Sequence, residues 1–407
     1  MSAPPRRHAR AADLLETARS RHSRYLDDLR DLVSVDSGSY DADGVDRVAD
    51  WVQRRLLRTG FAVDRVSFPA DSGGQRYGDA LVARKKGTLG ASEGGRRILL
   101  AGHMDTVFER GTAAAHPFRL KGALAHGPGV SDDKGGLLAG LTALEILTEH
   151  GTTAYDELVF LATPDEEIGS PASRPLIEQT AQGVHYALGL ECARENGDLV
   201  IGRKGVADFR ITVAGRAAHA GIEPERGANA ALAAAHLIVD LQALNGRWND
   251  VTVNVGMVRA GSRTNIVCPR AELRLEVRAP TTADVERVSR AIQEAAAHPA
   301  VAGTAVTVEQ LDLCPPMEVT TASRHMLALA RQAARTVGLP LDATTTGGVG
   351  DANLIAGTGV PTLDGLGPVG GADHTPYEWL DVSSVPERIA VLAALVAELG
   401  RGADPAP

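Results

Sequence analysis

Residues 97–107 read RILLAGHMDTV, in which a short apolar run ends abruptly in Gly-His-Met-Asp. The run at residues 98–101 is typical of a fully buried strand of a parallel sheet. His103 and Asp105 would then follow the carboxyl end of that strand, where open α/β sheets place their ligands. Such a pair can serve a metal site, with His103 as the ligand and Asp105 orienting its ring. The stretch alone fits a hydrogen-bonded turn at least as well, so the rest of the chain has to supply partners.

The same pattern occurs twice more along the chain. Residues 158–162 (LVFLA) form a second apolar run, and it leads to Glu166 and Glu167. Residues 186–190 (YALGL) form a third run, which ends in Glu191. Isolated acidic residues at strand ends are usually solvated, but three strands that each end in ligands or bases favour one common site.

Two loops contribute further candidates. Residues 127–136 (GPGVSDDKGG) are a loop by composition, and they lead into an apolar helix predicted over residues 137–147. Asp132 and Asp133 precede this helix, where the positive end of its dipole favours carboxylates. Capping of the helix accounts for one of them but not for two. A later loop, GLGPVGGADHTPYE, contains His374.

Together these candidates form a donor set for metal ions. Two imidazoles and three carboxylates are the mixture that suits zinc, with cobalt or manganese as substitutes. Five ligands exceed the needs of one tetrahedral zinc, but they suit two ions if one carboxylate bridges them, and Asp132 is the expected bridge. Glu166 is the candidate general base, and the alternative is a solvated loop residue. The expected ligands are His103, Asp132, Glu167, Glu191 and His374.

The order of predicted elements indicates an α/β domain that is interrupted by a smaller one. After Gly205 the order is β-α-β-β-α-β, which is a self-sufficient split βαβ unit. Helix–strand alternation then resumes. The predicted catalytic domain therefore consists of residues 1–204 and 316–407, with a mixed, mostly parallel sheet, and residues 205–315 form an inserted α+β domain.

Composition limits the classes of function and location. The chain has 407 residues, 44% of them hydrophobic and 23% charged, which is ordinary for a globular protein and leaves room for two or three domains. The net charge of −9 argues against nucleic acid as a partner, because phosphate binding needs a basic surface. Three widely spaced cysteines suit a reducing compartment. No secretory or membrane-spanning pattern is predicted, so the expected location is cytoplasmic, without a membrane partner.

Six motifs together resemble the di-zinc family of glutamate carboxypeptidase, aminoacylase, acetylornithine deacetylase and related dipeptidases. They are GHMDTV, GPGVSDDKGG, PDEEIGS, GRAAHAG, TGG-x-x-DAN and GGADHTPYE, they follow the family's order, and the match runs from about residue 20 onward. The resemblance implies a zinc-exopeptidase-like catalytic domain in which the five expected ligands bind two Zn²⁺ ions, with Asp132 as the bridge. It also implies that Asp105 orients His103 and that Glu166 is the general base.

The inserted domain resembles the family's lid and dimerisation domain, which implies a homodimer. Through this resemblance, His219 in GRAAHAG is expected to stabilise the oxyanion, in relatives often from the partner subunit. The substrate-binding positions implied in the same way are Asn265, Arg278, Gly347 and Gly348. Substrate binding by Arg278 has an additional reason that does not depend on the resemblance, since a guanidinium group can bind a carboxylate through two hydrogen bonds. The alternative for Arg278 is a structural ion pair.

Three positions depart from the family's pattern. Gly350 stands where many relatives carry Ser or Thr, and Cys192 stands where glutamate carboxypeptidases often have Pro. Asp373 adds a carboxylate directly before the last expected ligand. These departures concern the surroundings of the substrate more than the metals, so they leave the identity of the substrate open.

The predicted function is metal-dependent hydrolysis of an amide bond next to a free carboxylate, with release of a C-terminal amino acid from a small molecule or short peptide. A metal-activated water attacks the carbonyl, Glu166 passes its proton to the leaving amine, and His219 stabilises the oxyanion. The alternatives are an N-acyl-amino-acid deacylase or dipeptidase of the same family and, in another class, a catalytically silent binding protein. A serine hydrolase is disfavoured, because Ser131 and Ser170 have no evident paired base in their motifs.

Overall fold

The computed structural model describes residues 11–402. Its helices are α1 (Ala11–Ser20), α2 (His22–Val33), α3 (Ala42–Arg58), α4 (Thr112–Ala115), α5 (Lys134–Glu149), α6 (Arg174–Ala181), α7 (Ala230–Gln242), α8 (Thr282–Ala297), α9 (Thr321–Thr336), α10 (Asp351–Gly357) and α11 (Val385–Gly400). Its strands are β1 (Ala62–Val66), β2 (Ala80–Lys86), β3 (Arg97–His103), β4 (Arg119–Lys121), β5 (Leu124–His126), β6 (Glu157–Thr163), β7 (Tyr186–Gly189), β8 (Leu199–Arg203), β9 (Gly205–Ala214), β10 (Thr252–Ala260), β11 (Arg270–Ala279), β12 (Ala305–Cys314), β13 (Ala343–Thr346), β14 (Thr362–Leu363), β15 (Gly370–Gly371) and β16 (Trp379–Asp381).

The described residues form two compact units. Unit 1 contains the residues up to Ile201, Val319–Thr345 and those from Gly350 onward, and unit 2 contains Gly202–Glu318 and Thr346–Val349. The predicted limits of the inserted domain, residues 205 and 315, lie three residues inside those of unit 2. Thr346–Val349 also belongs to unit 2, where the carbonyl of Thr346 accepts a hydrogen bond from the amide of Lys204 at 3.0 Å, and the predicted domain limits stay a prediction.

The main sheet of unit 1 has six strands in the order β1-β2-β6-β3-β7-β14. β3 pairs in parallel with β6 and β7, and β14 pairs in parallel with β7, whereas β1 and β2 are antiparallel. The predicted α/β fold with a mixed, mostly parallel sheet is thereby confirmed. Ile98, Leu99 and Leu100 of β3 are 0% exposed, and full burial of such a side chain contributes about 1.5–3 kcal/mol.

Helix α5 packs in the core of unit 1 and begins earlier than predicted. Its first residue is Lys134, where the prediction began the helix at residue 137 because glycines precede it. These glycines lie within the helix, where they allow close packing, and do not form a loop. A Cβ at Gly136 would lie 1.8 Å from the carbonyl oxygen of Leu190, so only glycine allows the helix to approach this segment.

Unit 2 contains a four-stranded antiparallel sheet in the order β10-β11-β9-β12, and its elements follow the predicted order β-α-β-β-α-β. Alternate residues of β9 and β11 are buried against α7 and α8, which is the period expected of a sheet covered on one face. Helix α7 begins at Ala230, because Asn229 caps it by accepting hydrogen bonds from two amides of its first turn. Within residues 11–402, no helix combines the length and the apolarity needed to cross a membrane.

The glycine-rich stretch at residues 344–353 contains parts of two regular elements. β13 covers its beginning, and α10 begins at Asp351. The Asn353 side chain accepts a hydrogen bond from the amide of Gly350, which helps to start this helix. The glycines therefore lie between two regular elements.

Candidate metal centre

Parallel pairing brings three of the predicted positions to one edge of the unit 1 sheet. β3 ends at His103 and lies between β6 and β7. β6 is followed by the 3-10 turn Glu166–Ile168, and β7 is followed closely by Glu191. Since the carboxyl ends of parallel strands meet at the same edge, these side chains converge.

The first group of candidate ligands, the His103 half, consists of His103, Asp132 and Glu191. Nε2 of His103 lies 3.0 Å from Oδ1 of Asp132 and 3.5 Å from Oε1 of Glu191. Each residue offers one ligand atom, and these atoms lie within 4.8 Å of one another. The imidazole is 1% exposed, whereas the side chains of Asp132 and Glu191 are partly buried, with exposures of 13% and 21%.

The second group, the His374 half, consists of Asp132, Glu167 and His374. Nε2 of His374 lies 3.1 Å from Oδ2 of Asp132 and 3.0 Å from Oε2 of Glu167. Asp132 therefore belongs to both halves, and each of its oxygens faces a different imidazole. The structure brings all five expected ligands together, and their role in metal binding stays a prediction.

Asp105 is fully buried beneath this centre. Its Oδ1 lies 3.3 Å from Nδ1 of His103 and accepts a hydrogen bond from the amide of Glu166 at 3.1 Å. Its Oδ2 accepts hydrogen bonds from the hydroxyl of Ser39 at 2.7 Å and from the amide of Glu167 at 3.2 Å. Asp105 thus contacts the imidazole and also holds the turn that carries Glu166. No local pattern marks Ser39, which comes from a distant part of the sequence.

Glu378 supports the loop before α5. Its Oε1 accepts hydrogen bonds from the amides of Ser131 at 2.8 Å and Asp132 at 3.0 Å, and its Oε2 accepts one from the amide of Gly129 at 2.9 Å. Burial raises the pKa of Glu378 to about 8, although these hydrogen bonds oppose the shift. No sequence pattern predicts this contact, because Gly129 precedes Glu378 by 249 residues.

Asp133 occupies the N-cap position of α5, but its side chain caps no amide of that helix. Instead, its Oδ2 accepts a hydrogen bond from the amide of His103 at 3.3 Å. Burial, and to a lesser extent the nearby Glu191, raises the pKa of Asp133 well above its ordinary value. Neither residue of the Asp-Asp pair therefore serves as a side-chain cap, since Asp132 faces the imidazoles.

The electrostatics of the centre fit a pair of divalent cations. Burial raises the pKa of Glu166 well above its ordinary value and raises that of Glu167 to about 7. Hydrogen bonds to Asp132 and Glu167 raise the pKa of His374 to about 11. Burial therefore disfavours the ionised form of these carboxylates, and bound cations would stabilise that form. Two imidazoles and three carboxylates are also the donor set expected for zinc, cobalt or manganese.

Glu166 lies next to the expected ligands but belongs to neither half. A Cβ at Gly350 would lie 2.8 Å from Oε1 of Glu166, so glycine leaves room for the carboxylate at this position. This contact gives a structural reason for Gly350, one of the three departures from the family's pattern. A larger residue would require the Glu166 side chain to shift.

The other predicted site residues lie in unit 2. His219 is exposed, and its Nδ1 accepts a hydrogen bond from the amide of Gly221 at 3.2 Å. The carbonyl of Asn265 accepts a hydrogen bond from the amide of Ala220 at 3.1 Å, which places Asn265 beside the His219 loop. Their roles in oxyanion and substrate binding stay predictions.

Arg278 is engaged in contacts within unit 2. Its Nε and Nη2 donate to the two oxygens of Glu276 at 2.6 and 3.2 Å, and its Nη1 donates to the carbonyl of Gly347 at 2.6 Å. The carbonyl of Gly348 accepts a hydrogen bond from Arg203 at 3.4 Å. The structural ion pair is therefore present, and substrate binding by Arg278, Gly347 and Gly348 stays a prediction.

Comparison with known sequences gives a family and a near-full-length relative. The family model that describes peptidase family M20/M25/M40 matches residues 99–398. Carboxypeptidase G2 from Pseudomonas sp. (strain RS-16) is 31% identical over 395 residues, which cover 96% of this chain and 92% of that protein. The matched region contains all five expected ligands.

Solved structures share the fold. Aminopeptidase PepT from Bacillus cereus ATCC 10987 superposes with a TM-score of 0.75 at 25% identity, over 93% of this chain and 98% of that one. The YXEP protein of Bacillus subtilis, described as a dinuclear metal binding peptidase, superposes with a TM-score of 0.69 at 19% identity, over 93% and 99% of the two chains. Both similarities extend over almost the whole chain.

Proposed function

Because this chain belongs to peptidase family M20/M25/M40, we propose that it hydrolyses an amide bond next to a free carboxylate and releases a C-terminal amino acid. The observation that carries the proposal is the Asp132 carboxylate, which offers one oxygen to each imidazole of the centre. Similarity to carboxypeptidase G2 over nearly the whole chain supports release from the carboxyl terminus.

Each half of the centre is proposed to hold one divalent cation, and Asp132 would contact both. Zinc is the expected metal, with cobalt or manganese as substitutes. When bound, such a pair lowers the pKa of a water molecule toward neutrality and polarises the substrate carbonyl. The contact between Asp105 and Nδ1 of His103 leaves Nε2 of that imidazole available as the ligand atom.

Glu166 is the proposed general base. Asp105 holds the amide of Glu166, so the carboxylate stays beside the expected ligands. Glu166 takes a proton from the attacking water and returns it to the leaving amine nitrogen as the C–N bond breaks. In the roles implied by the family, His219 donates a hydrogen bond to the developing oxyanion, and Arg278 binds the free carboxylate of the substrate.

A substrate screen tests this proposal. The enzyme is supplied with Zn²⁺ or Co²⁺, and release of free amino acid is measured from N-acyl-amino acids and dipeptides with varied C-terminal residues. The same compounds with an amidated carboxyl terminus are the matched control, because they lack only the free carboxylate. We expect hydrolysis of the acids, little hydrolysis of the amides, and loss of activity with a chelator. Equal hydrolysis of acids and amides would contradict the proposed specificity.

We also propose that unit 2 mediates a homodimer. Helix α7 exposes Leu232 and Val239 at 50% and 68%, and the edge strand β10 exposes Met257 and Val258 at 49% and 52%. Exposed apolar side chains on a helix and at a sheet edge are typical of an interface. Analytical ultracentrifugation of the active enzyme is expected to show a dimer. A fully active monomer would contradict the dimer and any contribution of His219 from a partner subunit.

A further inference from the structure

Asp373 joins three segments of the candidate metal centre. Its Oδ1 accepts a hydrogen bond from the Ser131 hydroxyl at 2.8 Å, and its Oδ2 accepts one from the Cys192 thiol, with 3.6 Å between Oδ2 and Sγ. Ser131 is 0% exposed and Cys192 is 7% exposed, so both hydrogen bonds are sheltered from water. We call Ser131, Cys192 and Asp373 the carboxylate clamp.

Every member of the clamp is the sequence neighbour of an expected ligand. These neighbours are, in the same order, Asp132, Glu191 and His374. One carboxylate therefore connects the backbones of three expected ligands, although Ser131 and Asp373 are 242 residues apart in the sequence. An arrangement of this kind restrains the expected ligands relative to one another without contacting a metal itself.

The two imidazoles differ in what orients them. Nδ1 of His103 lies 3.3 Å from a carboxylate oxygen of Asp105, and the ring is 1% exposed. The side chain of His374 is 56% exposed, and within residues 11–402 the structure records hydrogen bonding only at its Nε2, not at Nδ1. The backbone that carries His374 must therefore supply most of its orientation.

That backbone is strained and needs support. Ala372 and His374, on either side of Asp373, have φ values of 55° and 63°, in the left-handed region that residues other than glycine rarely adopt. Such a conformation persists only where surrounding contacts hold it. The clamp supplies them, and the fold leaves space for it, since a Cβ at Gly370 would lie 2.2 Å from the Ser131 hydroxyl oxygen.

We infer that Asp373 is a positioning residue that fixes His374 for metal binding through the carboxylate clamp. Asp105 orients His103 by contact with its ring. Asp373 orients His374 through the backbone that joins these two neighbouring residues. The inference rests on the proposed pair of cations. It also gives a structural role to Asp373 and Cys192, two departures from the pattern of the family.

Zinc affinity in single-site backgrounds tests the inference. Glu191→Ala leaves the His374 half to bind zinc, and Glu167→Ala leaves the His103 half. Asp373→Ala is added to each background, and zinc affinity is measured by competition with a chelator. We expect affinity to fall by about 10–100-fold in the His374 half, the range for loss of a residue that supports a ligand, and by much less in the His103 half. The visible absorption spectrum of Co²⁺ should change only in the His374 half.

Two further variants separate positioning from folding. Asp373→Asn keeps an oxygen acceptor for the Ser131 hydroxyl but weakens this hydrogen bond, because the charge of the carboxylate is lost, so its affinity should lie between those of the wild type and Asp373→Ala. Combined with Ser131→Ala, Asp373→Asn should cost less than the sum of the two single changes, because Ser131→Ala removes the same hydrogen bond that Asp373→Asn weakens. This pair carries the test if Asp373→Ala does not fold. Asp64→Ala is the matched control, since it removes a carboxylate that is 77% exposed on β1.

The outcomes are distinct. Unchanged affinity in the His374 half, or equal loss in both halves, would overturn the positioning role of Asp373. Binding of fewer than two zinc ions by the wild-type enzyme would instead overturn the proposed function on which the inference rests. Two ions in the wild type, with loss confined to the His374 half of the Asp373 variants, would support both.

Discussion

His103 and His374 lie on opposite sides of Asp132, with their Nε2 atoms 3.0 and 3.1 Å from its two oxygens. His103 ends a buried strand and is 1% exposed, whereas His374 lies on a loop and is 56% exposed. Two residues of one type are thus positioned in two ways, by the sheet on one side and by hydrogen bonds to a loop on the other. The difference teaches that a loop residue depends on contacts from distant parts of the chain.

The largest effect is expected from Asp132→Ala, which removes the one residue that the two halves share. Neither half should then hold its cation tightly, and turnover should fall by more than about 10⁴-fold, because several kcal/mol of charge stabilisation in the transition state is lost. Metal content is measured by atomic emission after dialysis, with Asp64→Ala as the control. Retention of both ions would contradict the shared role of Asp132, since each half would then bind its ion without this residue.

Glu166→Gln should impair catalysis without affecting metal binding in either half. We expect turnover to fall by about 10²–10⁴-fold, the usual contribution of a general base, while both ions remain bound. The measurement is kcat together with metal content of the same preparation. Turnover equal to that of the wild type would rule out Glu166 as the base. Loss of metal would show that Glu166 belongs to one of the halves.

Asp105→Asn sharpens the difference between the two imidazoles. The neutral amide is a weaker acceptor than the carboxylate at Nδ1 of His103, so zinc affinity of the His103 half should fall by about 10–100-fold. A smaller loss is expected in the His374 half, where Asp105 contacts only the amide of Glu167. Ser39→Ala, which removes one hydrogen bond to Asp105, should weaken zinc binding less. A larger loss of zinc affinity in the His374 half would contradict the role of Asp105 in orienting His103.

The smallest effect is the pH dependence of metal binding. Hydrogen bonds to Asp132 and Glu167 raise the pKa of His374 to about 11, so its imidazole carries a proton at neutral pH before metal binds. A ligand must be deprotonated, so apparent zinc affinity should rise with pH by about tenfold per unit for each proton displaced. Calorimetry in buffers of different ionisation enthalpy counts these protons. Binding without proton release would contradict the hydrogen-bonded arrangement at His374.

The ligands on strand ends could be predicted from sequence because they follow local patterns. The apolar run before His103 identifies a buried strand, and the similar run before Glu191 identifies another. Parallel strands deliver their carboxyl ends to one edge, so the convergence follows from the pairing of β3 with its neighbours. The fold and the convergence of the three strand-end ligands could therefore be derived before the structure, whereas Asp132 and His374 lie on loops whose positions the strand pattern does not determine.

The supporting contacts could not be predicted, because they join distant residues. Glu378 accepts a hydrogen bond from the amide of Gly129, which lies 249 residues earlier in the sequence. Ser39, which precedes Asp105 by 66 residues, donates a hydrogen bond to it. The start of α5 was missed for a related reason, since Gly136 is explained only by the approach of Leu190. Contacts of this kind depend on three-dimensional packing and leave no periodic pattern in the sequence.

Anomalous X-ray diffraction at the zinc absorption edge tests the central claim most directly. Crystals of the zinc-loaded enzyme should show two peaks. One is expected next to His103 and Glu191, the other next to Glu167 and His374, with one oxygen of Asp132 bound to each. A single peak in the centre, two peaks of which only one contacts Asp132, or zinc bound elsewhere would contradict the shared-carboxylate centre.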